Sequence, residues 1–153
     1  MIGRPLPTQS SKACSSGGGG KSDHARQHRP TGLDVSPRLA ALARTRLPEW
    51  GGRIFVGNAF GWEPPQRFDF VRTEFVYVPA SRQPEYIARL LAHMIAPGGR
   101  LLVCSYRSQR EGAAQPIRER LQDWGFAVSG EATGVDTTSG GVATRVVWIE
   151  AAS

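Results

Sequence analysis

The segment TGLDVSPRLAALARTRL, Thr31 to Leu47, reads as the end of a buried strand, an acidic residue on a tight turn, and an amphipathic helix. Leu33 is the last apolar strand residue and Asp34 stands at the strand's carboxyl end. Ser36 is a favourable N-cap, and Pro37 suits the first helical position, where its missing N–H costs nothing. Leu39, Leu42, Ala43 and Leu47 recur at helical spacing and are expected to form the inward face. Ligands of open α/β sheets bind beyond the carboxyl ends of the strands. An acid at the position of Asp34 can accept two hydrogen bonds from the vicinal hydroxyls of a ribose. The alternative role for the same carboxylate is to cap the turn at Ser36.

Working outward, the 153 residues fit one domain, with an apolar fraction of 40%. The net charge of +6 is uneven, because residues 1–30 carry five basic side chains against Asp23 alone. That stretch is rich in Ser, Gly, Pro and Gln and lacks apolar periodicity, so it is expected to be a disordered basic tail of residues 1–30 preceding a domain of residues 31–153. Such a tail binds nucleic acid or an anionic surface only weakly and in a salt-dependent way, so no specific nucleic acid partner is expected. Within it, SSGGGGKS (Ser15 to Ser22) resembles a phosphate-binding loop, but Ser15 replaces the first glycine and no apolar strand precedes it. His24 and His28 have the spacing of a metal pair on one helix face without further ligands nearby, and no metal site is expected. Cys14 and Cys104 are the only cysteines, which excludes a disulfide framework, and Cys104 reads as a buried apolar residue. No stretch is long and apolar enough to span a bilayer or to serve as a signal-peptide core, so the expected compartment is the cytoplasm, with no membrane partner.

Beyond Leu47 the pattern alternates strand and helix. Trp50 to Gly52 reads as a turn, Arg53 to Val56 as a short strand, Trp62 to Arg67 as a loop, and Phe68 to Val78 as a strand with its exit loop. Pro84 to Ile95 repeats the helical period through Ile87, Leu90, Leu91 and Met94, and Pro97-Gly98-Gly99 ends it. Arg100 to Ser105 is a near-continuous apolar strand of the kind buried on both faces. Ala114 to Trp124 reads as a helix stopped by Gly125. A strand beginning at Phe126 to Val128, a loop from Gly134 to Gly141 and a strand from Ala143 to Ala151 then form a terminal antiparallel hairpin. The sum is an α/β three-layer Rossmann-like sandwich with a mostly parallel sheet and a C-terminal antiparallel hairpin.

Four segments in this order resemble the class I S-adenosylmethionine-dependent methyltransferases, over about Thr31 to Ala152. TGLDVSPRLAALAR is similar to the family's second strand and helix, VGNAF to the turn after its third strand, FDFVRTEFVYVP to its fourth strand and exit loop, and APGGRLLV to the turn into its fifth. The resemblance implies S-adenosylmethionine as cofactor, with Asp34 on the ribose, Val35 near the adenine, and Asn58 and Ala59 clamping the ring. The family usually has Asp where Asn58 stands, and the Asn side-chain carbonyl still accepts one bond. Arg72 and Thr73 are expected at the cofactor and Glu74 as the group that orients or deprotonates the acceptor. An exposed Arg72–Glu74 ion pair is the alternative. Tyr77 and Tyr106 are candidates for a substrate pocket or for packing, Trp62, Trp124 and Trp148 are expected to pack, and His93 to be exposed. A small-molecule acceptor is expected because no large recognition insert interrupts the pattern.

The sequence departs from that family in one respect. The family's first strand ends in a glycine-rich loop, and no apolar strand precedes Thr31 to carry one. Gly17 to Gly20 lie too close to the next strand for a crossover. The expectation is therefore an N-terminally incomplete, truncated sandwich with a gap in its sheet. It is either marginally stable or completed by another segment or a partner chain. The readings that follow are methyl transfer, impaired by the missing loop, or a non-catalytic interaction module. A nicotinamide-dependent oxidoreductase shares the acid after the second strand, but the closing hairpin and PGGRLLV count against it.

Overall fold

A computed structural model of the chain describes residues 30–76, 78–107 and 116–152. The glycine run, the phosphate-loop-like string, His24, His28 and all of the expected tail except Pro30 lie outside the described residues, as do Tyr77 and the start of the helix expected from Ala114.

Strand β1 (Gly32–Asp34) leads into helix α1 (Pro37–Arg46) as expected. Ser36 Oγ accepts the Leu39 N–H at 3.3 Å, and Pro37 opens the helix. The inward face differs from the expected one. Ala40 is the buried residue of α1, whereas Leu39, Leu42 and Leu47 are exposed. A 3₁₀ turn (Pro48–Arg53) replaces the simple turn at Trp50 to Gly52 and delivers β2 (Ile54–Val56), which pairs in parallel with β1 through Leu33 and Phe55. Arg44 ties α1 to this pair by donating from Nε to the Ile54 carbonyl at 3.1 Å.

The second half is the larger. Strand β3 (Phe68–Glu74) pairs in parallel with β4 (Ile95–Tyr106), which pairs antiparallel with β6 (Val142–Glu150), which in turn pairs antiparallel with β5 (Gly130–Val135). Helix α2 (Gln83–Arg89) connects β3 to β4 and ends in a π-helical turn, Leu90–Met94, rather than running regularly to Ile95. Ile95 to Gly99 belong to β4, where the expected breaker instead shapes the strand's first residues. Gly98 has φ 71°, and a Cβ on Gly99 would lie 2.8 Å from the Asp69 carbonyl oxygen, so only glycine lets the two strands approach there.

Strand alternation puts Val71, Leu101, Val103, Val147 and Ile149 on one face of this sheet. Tyr86, Ile87, Leu90 and Met94 of α2 and its π turn cover them, with Leu121 of α3 (Arg118–Asp123), and together they form the buried core. Cys104 is buried, as expected, and Trp62 and Trp124 pack against the core. The hairpin is displaced from its expected bounds. Phe126 and Val128 pack on the core without entering a ladder, and pairing starts at Gly130, whose absent side chain leaves room for the Trp148 ring. Gly134 lies within β5, and the turn proper is Asp136 to Gly141, where Asp136 Oδ1 accepts the Thr138 and Ser139 N–H groups.

The described strands thus form two sheets, β1–β2 and β3–β4–β6–β5, and no described strand joins β1 to β3. Leu101 is fully buried at the centre of the larger sheet. Leu101→Ala should cost about 2–5 kcal/mol in urea-melt stability, the range for buried leucine truncations. Leu39→Ala, at a half-exposed site, should stay within about 0.5 kcal/mol of the parent.

Candidate functional site

The carboxyl ends of β1 and β2 are stitched together by the Gly57 N–H, which donates to the Asp34 carbonyl at 2.9 Å. The following turn, Asn58 to Trp62, folds back across the end of the pair. Asn58 Oδ1 accepts the Phe60 N–H at 3.0 Å, and the Asn58 carbonyl accepts the Gly61 and Trp62 N–H groups. The side-chain oxygen expected on an adenine amine is therefore engaged in holding its own turn. Asp34 behaves similarly: Oδ1 accepts the Ser36 N–H at 2.7 Å. One carboxylate oxygen builds the turn into α1, and the second retains its own acceptor lone pairs. Val35, next to it, is 70% exposed.

The turn docks on α2. Arg89 donates from Nε to the Ala59 carbonyl at 3.2 Å and from Nη2 to the Trp62 carbonyl and Glu63 Oε1. Phe60 lies with its ring centroid 5.2 Å from that of Tyr86, under the Arg82 guanidinium at 4.1 Å. Tyr86 then reaches the end of β3 through a 2.8 Å hydrogen bond between its hydroxyl and Thr73 Oγ1. A path from Asp34 through Gly57 and the adjoining Asn58 to Phe60, Tyr86 and Thr73 links the carboxyl end of β2 to that of β3.

The candidate residues at the end of β3 divide by face. Thr73 is buried and turned toward Tyr86. Arg72 and Glu74 lie on the opposite face, where Arg72 Nη2 donates to Glu74 Oε1 at 3.1 Å and to the Tyr106 hydroxyl at 2.5 Å. The ion pair considered from sequence is present, partly exposed at 29% and 32%. Tyr106 joins it from β4 with its ring 5.3 Å from the guanidinium, and burial beside Cys104 raises its hydroxyl pKa. His93 is exposed as expected but stands 4.0 Å from Glu63, whose carboxyl is held below its usual range by the Arg89 hydrogen bond.

Sequence reading missed Phe60, Arg82, Tyr86 and Arg89 as parts of this region. Tyr86 was findable, since it precedes Leu90 by one helical turn on the inward face. Arg89 had no signal, because its acceptors are backbone carbonyls nearly thirty residues away. Among the described residues, no group of three or more acidic, His or Cys side chains is arranged to hold a metal, and no helix is long and apolar enough to cross a membrane.

No protein-family model matches the chain, and no curated protein sequence does. Solved structures do. The chain is similar to the N-methyltransferase NodS from Bradyrhizobium japonicum WM9, with TM-score 0.59 and 17% identity over 79% of this chain and 72% of that one. It is similar to the glycopeptide N-methyltransferase MtfA in complex with S-adenosylmethionine, with TM-score 0.60 and 15% identity over 80% and 72%. It is also similar to the Burkholderia thailandensis 1,6-didemethyltoxoflavin-N1-methyltransferase with bound 1,6-didemethyltoxoflavin and S-adenosylhomocysteine, with TM-score 0.57 and 20% identity over 82% and 62%. The fold is the class I methyltransferase fold. In terms of that fold, the described strands supply the parallel β1–β2 pair, the parallel β3–β4 pair and the closing antiparallel hairpin.

The Thr73–Tyr86 bond is the site's buried polar link, and burial raises the tyrosine pKa. As pH rises through about 10, the unfolded chain ionises this tyrosine before the folded one does, so stability falls across that window. Tyr86→Phe should remove this component of alkaline destabilisation. It should also lower stability at neutral pH by about 1–3 kcal/mol, because the buried Thr73 hydroxyl loses its partner. Urea melts at neutral and alkaline pH read both effects.

Proposed function

We propose that this chain carries the donor-binding half of an S-adenosylmethionine-dependent methyltransferase acting on a small-molecule acceptor. The observation that carries the reading is Asp34. It ends a strand of a class I fold, one oxygen fixes its orientation through the Ser36 N–H, and the second is left to accept from a ribose. The fit extends to the adenine side, where Ala59 and the Phe60 turn close over the ends of β1 and β2 and Val35 offers an exposed apolar surface. Asn58 shapes that turn through one lone pair of Oδ1 and keeps the other for the adenine amine. Thr73 supports the floor of the site through Tyr86, and Arg72 orients Glu74.

S-Adenosylmethionine, when bound, supplies a methyl on a sulfonium leaving group, so the acceptor's lone pair takes the carbon while sulfur keeps the bonding electrons. The protein's contribution to such a reaction is alignment of acceptor and donor. Glu74 orients the acceptor and takes its proton, and Arg72, which also bonds the Tyr106 hydroxyl, stands beside its carboxylate. The methionine end of the donor is the incomplete part: among the described residues, no glycine-rich loop follows a strand beside β1. Transfer by this chain alone is therefore impaired, and a partner chain completing the sheet belongs to the same reading. A non-catalytic interaction module is the second reading, favoured by the separation of the strands into two sheets.

Calorimetric titration with S-adenosylhomocysteine separates the two. Donor-site binding should weaken about 10- to 100-fold in Asp34→Ala, as expected for losing hydrogen bonds to a charged group. Asp34→Asn keeps an oxygen for the Ser36 N–H but gives up the second carboxylate oxygen. It should show a similar affinity loss with an unchanged melt. Wild-type affinity in both variants would remove the ribose assignment, and absence of binding to the parent chain would leave the interaction module.

A further inference from the structure

Resting on the methyl-transfer reading above, we propose that Arg120 selects the acceptor: the methyl group goes to a small molecule that carries a carboxylate, and the Arg120 guanidinium holds that carboxylate beside the tip of β3. The neighbouring arginines set the contrast. Arg82 is bonded to Glu85, Arg89 to Glu63 and Arg118 to Glu131, each at 3.0 Å or less. Arg72 is paired with Glu74. Arg120 is half-buried and has no carboxylate partner among the described residues. Its Nη1 donates to Gln83 Oε1 at 3.5 Å, a long bond to a neutral amide, and its guanidinium lies 6.0 Å from the centroid of the Phe75 ring. A half-buried cation among neutral groups is best satisfied by an anion. The planar guanidinium matches a carboxylate with two parallel hydrogen bonds.

Arg120 is placed by groups that are themselves fixed. Gln83 is buried at the start of α2, where its Nε2 donates to the Val78 carbonyl at 3.0 Å while its Oε1 meets Arg120. The Val78 N–H in turn donates to the Phe75 carbonyl at 2.9 Å, which closes the turn leaving β3. Phe75 meets Trp124, just past α3, edge to face with ring centroids 5.6 Å apart. The exit of β3, α2 and α3 thus converge on one guanidinium. Both rings are half-buried, so each keeps an edge for the apolar body of a ligand. Phe75 directly follows Glu74 and turns to the core side, whereas Glu74 lies on the other face of β3 with Arg72. An acceptor lying across the tip of β3 therefore has its nucleophile toward Glu74 and its carboxylate toward Arg120. Arg120 touches no reacting atom; it decides which molecule lies there.

The test uses the full 153-residue chain and matched pairs of probes: benzoate, anthranilate and phenylacetate, each against its primary amide. Calorimetry, with and without saturating S-adenosylhomocysteine, should show a carboxylate binding at least about tenfold more tightly than its amide. In Arg120→Gln that preference should fall to about twofold or less while the affinity for the amide is unchanged. Arg120→Lys keeps the charge without the planar fork and should retain only part of the preference. Arg100→Gln, at the site where Arg100 pairs with Glu150, should leave it intact. The Arg120 Nε–H resonance, assigned by its loss in Arg120→Gln, should shift on adding the carboxylate and stay in place on adding the amide. A panel in which no carboxylate outbinds its amide, or a preference that survives Arg120→Gln, overturns the proposal. If S-adenosylhomocysteine binds in that case, the methyl-transfer reading stands without it. A carboxylate preference lost in Arg120→Gln with no binding of S-adenosylhomocysteine keeps the anion site and removes the methyl-transfer reading.

Discussion

Arg89 ties the turn that closes the smaller sheet to a helix on the core of the larger one. From the last turn of a core helix it reaches two backbone carbonyls and a carboxylate of the turn that closes β2. Its side chain is only 19% exposed, and hydrogen bonds from a cation are stronger than neutral ones. Phe60 adds an apolar contact to Tyr86 beside it, with Arg82 stacked on the outer face of the ring. Without this seat, β1, β2 and α1 would lean on the rest of the chain through few other described contacts. A two-stranded sheet with one short helix is marginal by itself.

That dependence explains which features were legible in the sequence. Local rules worked where their cause is local. Ser36 and Pro37 marked the start of α1, the apolar run Arg100 to Ser105 lies inside β4, and closely spaced terminal strands paired antiparallel. The face of α1 was misread because periodicity reports which side chains can be buried together, and burial needs a neighbour. Leu39 and Leu42 have the right spacing and lack a covering element among the described residues, so Ala40 takes the buried position instead. The hairpin boundaries shifted for a comparable reason, since the start of β5 is set by where glycine admits the Trp148 ring. The seat of Arg89 is set by acceptors far along the chain and left no trace in spacing.

The candidate site shows how little a residue's type says about its task. Asp34 and Asn58 match a nucleoside-binding pattern, and both spend side-chain oxygens on their own turns, as Asx residues commonly do. For Asp34 the two roles are compatible, because a carboxylate has a second oxygen and the cap fixes where that oxygen stands. For Asn58 the amide has a single carbonyl oxygen, which spends one lone pair on the Phe60 N–H and keeps the other. In both residues the same turn chemistry fixes where the remaining lone pairs stand.

The Arg72–Glu74–Tyr106 group adds a last physical step. Its three members share the face of β3 and β4 that also carries the exposed Phe70, and water reaches the ion pair. In that setting the pair contributes little energy and holds the carboxylate loosely. An element covering that face would lower the local dielectric and strengthen the Arg72 bonds to Glu74 and Tyr106.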